Sequence, residues 1–333
     1  MDRMSIDLEN ERLKTSWDCF PAEHLATYLC IGEQDQRINT HSILTRALLI
    51  DTLWPGKFDA LIDEEFRFGI VMTWLLQELK AGVNRWDLLG ELEASVPGDR
   101  IPDIVRRTGE WLRTDACPIP DYVSEALMSS NPDQPAWYLY EAALNTFSGL
   151  WSARLYGLDS EPIRVLEIAC GSGNDYMAIR DFGLAAHISY SGFDISWKNI
   201  SNARNLFPGV DFFEASILDS GLPDNSFDYL FVHDLLGHLS PAGFEVALTE
   251  IMRVVRREAW LHCYNVADIE RHEIRPFHLY YRNRLSMTQF VASLEKAGAT
   301  AEVVSISDML HHKFKFVPDY TATSGTIIAR KHS

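Results

Sequence analysis

The pattern of apolar and polar positions divides the 333-residue chain into two unlike parts. From residue 41 to residue 130, apolar residues recur at helical spacing between breaks such as Pro55-Gly56. After residue 160, short apolar runs suited to buried strands alternate with helical runs. This alternation predicts a parallel sheet joined by helical crossovers. We therefore expect an all-helical domain at residues 1–135 and an α/β domain at residues 136–333.

The α/β part has a regular order of predicted elements. The predicted strands are residues 165–168, 187–194, 210–216, 227–233, 259–266, 301–306 and 323–329. Helices are predicted from Asn174 onward and at residues 197–206, 242–256 and 286–297. A further helix, rich in aromatic residues, is predicted at residues 137–156, between Pro135 and Gly157.

Small residues end the first strand of this part. The run Glu167-Ile-Ala-Cys-Gly-Ser-Gly173 fits a tight turn from strand to helix, and its missing side chains let a ligand lie on the backbone. A dinucleotide-binding turn would need G-x-G-x-x-G, but Tyr176 stands at the third glycine. Asp194 ends the next strand, where a carboxylate can accept hydrogen bonds from ribose hydroxyls. The pattern favours an adenosine-containing ligand without a pyrophosphate.

Two motifs resemble those of the class I S-adenosylmethionine-dependent methyltransferases. The run E-x-A-C-G-S-G at residues 167–173 resembles the first motif of this family, with Ala169 as a tolerable replacement for the usual first glycine. The run L-P-D-N-S-F-D at residues 222–228 resembles the fourth motif of the type 11, ubiquinone/menaquinone-biosynthesis-like members. The resemblance covers residues 160–333. It implies a Rossmann-like sheet of seven strands, mostly parallel, with the last strand antiparallel.

The resemblance also implies S-adenosylmethionine as the cofactor and S-adenosylhomocysteine as the product. One acidic residue that commonly contacts the adenine amino group in this family is absent, because Ser216 and Ile217 stand at its place. The cofactor-binding residues that the motifs imply are Glu167, Ala169, Gly171, Ser172, Gly173, Asp194, Ile195, Ser216, Ile217 and His233.

Two histidines are candidate catalytic residues. A general base is needed where the methyl acceptor holds its proton tightly, as an alcohol or phenol does. His233 ends the fourth strand and His238 follows it, although a hydrogen bond to cofactor or backbone is the favoured role for His233. The aromatic helix and the insert at residues 267–285 supply the candidate substrate-binding residues Trp151, His278, Tyr280 and Tyr281, with ordinary packing as the alternative. No metal site is expected, since no H-x-x-x-H pair occurs.

The composition of the chain indicates which classes of partner to expect and in which cellular compartment the protein functions. The formal net charge of −17 argues against nucleic acid, because nucleic-acid-binding proteins present a basic face. The five cysteines form no C-x-x-C pair, which fits a reducing compartment. No apolar segment has the length of a signal peptide core or a membrane span. We therefore expect a cytoplasmic protein without a membrane partner.

The leading hypothesis is S-adenosylmethionine-dependent methyl transfer to a small-molecule acceptor, by O-, N- or C-methylation. The helical N-terminal domain is expected to cap the cofactor pocket or to form a homodimer interface. Two other functions stay open: a catalytically silent, S-adenosylmethionine-binding interaction protein, and a nicotinamide-dependent oxidoreductase. The missing acid at Ser216 leaves room for the first, whereas Tyr176 speaks against the second.

Overall fold

The computed structural model describes two N-terminal helices and most of the α/β part. The described residues are 2–18, 36, 39–56, 87, 152, 155, 157–277, 280–305 and 324–332. Helix α1 is Arg3–Asp18 and helix α2 is Thr40–Leu53. The Asn39 side chain caps α2 by accepting from the backbone N–H groups of His41 and Ser42. The predictions for residues 57–86 and 88–151 lie outside the described residues, so the domain boundary stays a prediction.

Seven strands form one sheet, in the order β10-β11-β5-β4-β1-β2-β3. They are β1 Ile163–Ile168, β2 Ile188–Asp194, β3 Asp211–Glu214, β4 Phe227–His233, β5 Val255–Cys263, β10 Ala299–Ser305 and β11 Gly325–Lys331. Strands β1 to β5 pair in parallel, and β11 runs antiparallel to both of its neighbours, β5 and β10. Short strands β6 Val266–Ala267 and β9 Leu285–Ser286 pair together, as do β7 Pro276–Phe277 and β8 Tyr280–Tyr281. The predicted Rossmann-like fold class is confirmed.

Four described helices cross between the strands: α3 Asn174–Asp181, α4 Trp197–Leu206, α5 Pro241–Val254 and α6 Met287–Lys296. Three of them begin at a serine, since Ser196, Ser240 and Ser286 each accept from a backbone N–H in the first turn. Short 3-10 turns occupy Leu184–His187 and Leu236–His238. The predicted bounds of α4 and β4 agree with the structure.

The boundary between α5 and β5 differs from its prediction. The helix was expected to run to residue 256 and the strand to begin at 259, but the helix ends at Val254 and the strand begins at Val255. Val254 and Val255 are both buried, so hydrophobic spacing alone cannot separate a helix end from a strand start. The third strand is also shorter than predicted, because Ser216 turns back to accept from the Leu218 N–H.

The central strands of the sheet are buried on both faces. Leu166 and Leu230 of β1 and β4 point to a cluster that includes α5 and α6, whereas Val165 and Phe231 point to one that includes α2, α3 and α4. Central strands buried on both faces are what a doubly covered parallel sheet requires. The carboxyl ends of β1, β2 and β4 consequently meet at one edge, where open α/β sheets bind their ligands.

Candidate active site

The turn between β1 and α3 forms the floor of the site. Gly171 has φ 54° and Gly173 has φ 84°, the left-handed region that favours glycine. A Cβ on Gly171 would meet nothing within 4 Å, so the backbone there borders open space. A Cβ on Gly173 would come within 2.8 Å of the Phe207 ring, so packing also requires glycine at this position. Ala169 has φ 59°, which makes alanine a strained residue here rather than a neutral replacement for glycine.

Asp194, at the end of β2, is hydrogen-bonded to this turn. Its carboxylate accepts from the Gly171 N–H at 3.1 Å, from the Ser196 N–H at 2.8 Å and from the Asn199 amide at 3.3 Å. Burial raises the pKa of Asp194, although the hydrogen bonds from Ser196 and Gly171 act in the opposite direction. The carboxylate therefore fixes the position of the Gly171 backbone as well as facing the neighbouring cavity.

A cavity of about 360 Å³ opens above the turn at the carboxyl ends of the strands. Nine predicted site residues line it: Ala169, Gly171, Asp194, Ile195, Ser216, Ile217, His233, His238 and Tyr280. The lining also includes residues that were not among the predicted site residues: Leu13, Ile168, Phe193, Ala215, Asp234, Leu235 and Arg282. The sequence places Asp234, directly after His233, at the carboxyl end of the fourth strand, where ligands of open α/β sheets bind, although no role was assigned to it. Leu13 and Arg282 come from segments in which no motif marks the position.

Four predicted residues lie off the cavity lining: Glu167, Ser172, Gly173 and Tyr281. Glu167 is buried behind the turn and accepts from the Tyr190 hydroxyl. Burial raises the pKa of Glu167 well above its ordinary value, and the nearby Asp175 carboxylate raises it further. Ser172 is buried too, and its hydroxyl has no hydrogen-bond partner in the described part of the chain. Trp151 and His278 lie outside the described residues.

His238 has one ring nitrogen engaged. Its Nδ1–H donates to the Tyr281 carbonyl at 2.8 Å, and its Nε2 lies 3.7 Å from the Asp234 carboxylate, too far for a hydrogen bond. Burial lowers the pKa of His238, but Asp234 and the Tyr281 carbonyl outweigh burial and leave the pKa above its ordinary value. A backbone acceptor at Nδ1 selects the neutral tautomer whose Nε2 carries a lone pair. Tyr281 therefore contributes to the site through its backbone.

His233 has both ring nitrogens engaged. Nδ1 lies 3.1 Å from the Asp175 carboxylate, and Nε2 lies 2.9 Å from the Tyr264 hydroxyl oxygen. Burial lowers the pKa of His233, but the charge and hydrogen bond of Asp175 raise it above its ordinary value. Neither Asp175 nor Tyr264 was predicted. Tyr264 directly follows the end of β5, so the rule that ligand sites collect at carboxyl ends was the available signal.

Helix α1 covers one side of the cavity. Leu13 contributes to the lining, and the Ser216 hydroxyl donates to the Asn10 side-chain oxygen at 2.5 Å. The Glu9 carboxylate accepts from the Ser240 N–H at 2.9 Å, at the start of α5. Lys14 and Glu214 form an ion pair at 2.9 Å. These contacts place the N-terminal helix directly beside Ser216, the position where the usual adenine-binding acid is missing.

The residues of this cavity fit an adenosyl sulfonium ligand. The backbone of Gly171 borders open space, a carboxylate stands next to it, and Ile195 and Ile217 supply apolar surface. Among the described residues, no group of histidine, cysteine and acidic side chains could hold a metal ion.

Residues 165–258 match the family model described as a methyltransferase domain. The matched residues include the glycine turn, Asp194 and His233. No match was found among curated proteins. Among the described residues, no helix has the length and apolar character needed to cross a bilayer.

Solved structures with a similar architecture include methyltransferases. The 1,6-didemethyltoxoflavin-N1-methyltransferase of Burkholderia thailandensis, with bound S-adenosylhomocysteine, is 17% identical, with 63% of this chain and 87% of that chain covered and a TM-score of 0.40. An S-adenosylmethionine-dependent methyltransferase of Methanosarcina mazei is 16% identical, with 54% and 96% covered and a TM-score of 0.40. The [4+2]-cyclase SpnF is 22% identical, with 57% and 82% covered and a TM-score of 0.38. Likenesses of this strength carry no conclusion about reaction or substrate.

Proposed function

We propose that the protein uses S-adenosylmethionine to methylate a small molecule through an O–H or N–H group that gives up its proton. The observation that carries this proposal is His238. It lines the same cavity as the glycine turn, with Nδ1–H held by a backbone carbonyl and with Nε2 facing the Asp234 carboxylate at 3.7 Å. That arrangement is suited to a general base.

The cofactor half of the site is assigned to the turn and the strand ends beside it. Gly171 offers open backbone, Asp194 a carboxylate for hydroxyl groups, and Ile217 and Ile195 an apolar wall. When bound, S-adenosylmethionine supplies an electrophilic methyl group on a positively charged sulfur. At the place of the missing acid, the Ser216 hydroxyl lines the cavity and donates to the Asn10 side-chain oxygen at 2.5 Å.

The acceptor half is assigned to His238, Asp234, Tyr280 and Arg282. His238 Nε2 takes the proton from the acceptor while the acceptor atom gains the methyl group. Asp234, with its carboxylate 3.7 Å from Nε2, stabilises the imidazolium that forms. A cavity of about 360 Å³ lies near the lower end of the range for small-molecule sites, which favours a small acceptor over a macromolecule.

Calorimetry with S-adenosylhomocysteine tests the cofactor half. The wild-type protein should bind it and should not bind NAD. Asp194→Asn should weaken binding by roughly ten-fold or more, as expected for loss of a charge-assisted hydrogen bond. Asp159→Asn, an exposed position away from the cavity, is the matched control and should bind as wild type.

The acceptor half is tested by transfer of a labelled methyl group to a library of phenols, alcohols and amines. Transfer to an O–H or N–H compound supports the proposal. Tight binding of S-adenosylhomocysteine with no transfer to any class would instead favour the catalytically silent alternative. Binding of NAD in place of S-adenosylhomocysteine would overturn the assignment of the cofactor.

A further inference from the structure

His233 lies in the middle of a chain of hydrogen-bonded polar groups that begins at Asn39, the cap of α2. The Asn39 amide nitrogen lies 2.6 Å from the Tyr264 hydroxyl oxygen, which lies 2.9 Å from His233 Nε2. On the other side of the ring, Nδ1 lies 3.1 Å from Asp175. Asp175 stands in the first turn of α3, directly after the glycine turn. The chain therefore joins α2, the tips of β4 and β5, and the floor of the cavity.

The direction of these hydrogen bonds follows from the capping role of Asn39. Its side-chain oxygen accepts from the N–H groups of His41 at 3.0 Å and Ser42 at 3.4 Å. The amide nitrogen is consequently the atom that faces Tyr264, and it donates to the hydroxyl oxygen. Tyr264 can then donate its own proton to Nε2 of neutral His233, whose Nδ1–H donates to Asp175. One neutral tautomer of His233 is selected by contacts from both sides.

We propose that Asp175, Tyr264 and Asn39 are positioning residues that hold both ring nitrogens of His233, so that His238 alone serves as the proton acceptor. His233 then forms a fixed part of the cavity wall, and α2 of the N-terminal part becomes a component of the active site. The division of roles between the two histidines rests on the proposed function. The hydrogen-bonded arrangement of His233 can be tested without it.

The other charged and titratable groups around His233 are consistent with this assignment. His41 and His262 stand with ring centroids 5.7 Å and 5.6 Å from His233, and Asp234 follows it in the chain. Burial lowers the pKa of His41 and of His262, and the neighbouring histidines lower both further. Asp175 keeps a lowered pKa against burial, with His233, Ser42 and Arg46 as the groups that stabilise its charge. Of these three rings, His233 is the one with a pKa above its ordinary value, since the Asp175 carboxylate outweighs burial.

Long-range proton–nitrogen NMR spectra of the imidazole rings, recorded on the full chain as a function of pH, test the proposal. Neutral wild-type His233 should show the Nδ1–H tautomer. Asp175→Asn should weaken proton binding at His233 by roughly ten-fold, the equivalent of one pKa unit. Asn39→Asp keeps the cap of α2 but removes the amide donor, because aspartate caps as well as asparagine does. Tyr264 must then donate to that carboxylate, so His233 should bind its proton more tightly and shift towards the Nε2–H tautomer.

The two variants thus move His233 in opposite directions, which a general loss of packing would not do. Asp159→Asn should leave the His233 signals unchanged. Tyr264→Phe provides an independent route should Asp175→Asn fail to fold, and it should convert the single neutral tautomer into a mixture. Unchanged tautomer and midpoint in the folded variants would overturn the proposal. Titration of S-adenosylhomocysteine into the same wild-type sample tests the proposed function separately from the hydrogen bonds of His233. If the protein does not bind it, the proposed function is contradicted, but the assignment of the His233 hydrogen bonds is not.

Discussion

The two histidines on the cavity wall lie five residues apart and occupy opposite environments. The His233 side chain is 8% exposed and has a partner at each ring nitrogen. The His238 side chain is 32% exposed and has a hydrogen bond only at Nδ1 among the described residues. Since the residue type is the same, we attribute the difference in role to Nε2, which has a hydrogen-bond partner in His233 and faces the cavity region in His238. A histidine in a motif is therefore assigned by its partners.

The contrast extends to the regions around them. Behind β4 and β5, His41, His262 and Thr326 are all buried and contact one another. In front, Asp234, Tyr280 and Arg282 line the cavity. Two strained non-glycine residues, Ala169 with φ 59° and Asp234 with φ 52°, also line the cavity. The buried region is organised for stability and position, and the open region for contact with a ligand.

The largest expected effect is on catalysis at the open histidine. His238→Gln removes the base but keeps a polar side chain of similar length, so methyl transfer to the acceptor found in the library screen should fall by about 10²–10⁴-fold. Affinity for S-adenosylhomocysteine should stay near wild type. Single-turnover transfer of a labelled methyl group measures the first quantity and calorimetry the second.

His332→Gln, at an exposed histidine near the C-terminus, is the control for this substitution. It should change neither quantity. A His238→Gln enzyme with wild-type transfer rate would remove His238 as the base and with it the distinction between the two histidines.

The buried histidines should affect how the free energy of unfolding depends on pH. The folded-state pKa values of His41 and His262 are lowered, chiefly by burial, so between pH 6.5 and those values the unfolded chain binds more protons. Stability should decrease as the pH is lowered through that window, by up to about 1.4 kcal/mol per pH unit for each histidine. His233, with its raised pKa, acts in the opposite sense, but its contribution is complete below pH 6.5 and does not alter the slope there.

Urea denaturation from pH 8 to pH 5 measures this slope. His41→Leu removes one of the two groups and should reduce the slope, whatever it does to the absolute stability. His332→Gln should leave the slope unchanged because that side chain is exposed in both states. An unaltered slope in His41→Leu would mean that His41 is not held neutral in the fold.

Much of the fold was predictable from the sequence because apolar spacing and serine caps act locally. The bounds of α4 and β4 needed no tertiary information, and Gly171 and Asp194 followed from the rule that ligands bind at strand ends. Asp175 and Tyr264 could not be assigned in this way, because their role depends on their hydrogen bonds to the His233 ring, which lies far away in the sequence. The bounds of helix α1 were not predicted, although residues 1–135 were expected to be helical, because its inward side is partly polar and includes Glu9 and Asn10. Its partners lie more than 200 residues away in the chain.

A smaller effect is expected at Glu167, which lies behind the glycine turn. The raised pKa of Glu167 means that its contribution to stability is fully present below pH 4.5 and is lost as the pH rises through the folded-state value. Glu167→Gln keeps an acceptor for the Tyr190 hydroxyl and cannot ionise, so it should stabilise the protein at pH 8 by about 1 kcal/mol. The gain should shrink as the pH is lowered towards 5.

The affinity of Glu167→Gln for S-adenosylhomocysteine shows whether Glu167 has a structural role or binds the cofactor. Glu167 lies off the cavity lining, so Glu167→Gln should bind as wild type. A ten-fold loss of affinity would return Glu167 to the cofactor-binding residues that the sequence motif implied.

The smallest effect concerns Ala169, the strained residue of the turn between β1 and α3. Alanine in the left-handed conformation costs about 1–2 kcal/mol, which Ala169→Gly relieves. Glycine in turn gives the unfolded chain more freedom, worth about 0.4–1 kcal/mol, and loses a half-buried methyl group. These terms nearly cancel, so the free energy of unfolding should change by less than about 1 kcal/mol, on the stabilising side. The same substitution at Ala292, exposed within α6, should destabilise by about 1 kcal/mol because helical backbone offers no strain to relieve. Equal losses at both positions, measured as urea midpoints with unchanged slopes, would show that the turn accepts alanine without strain.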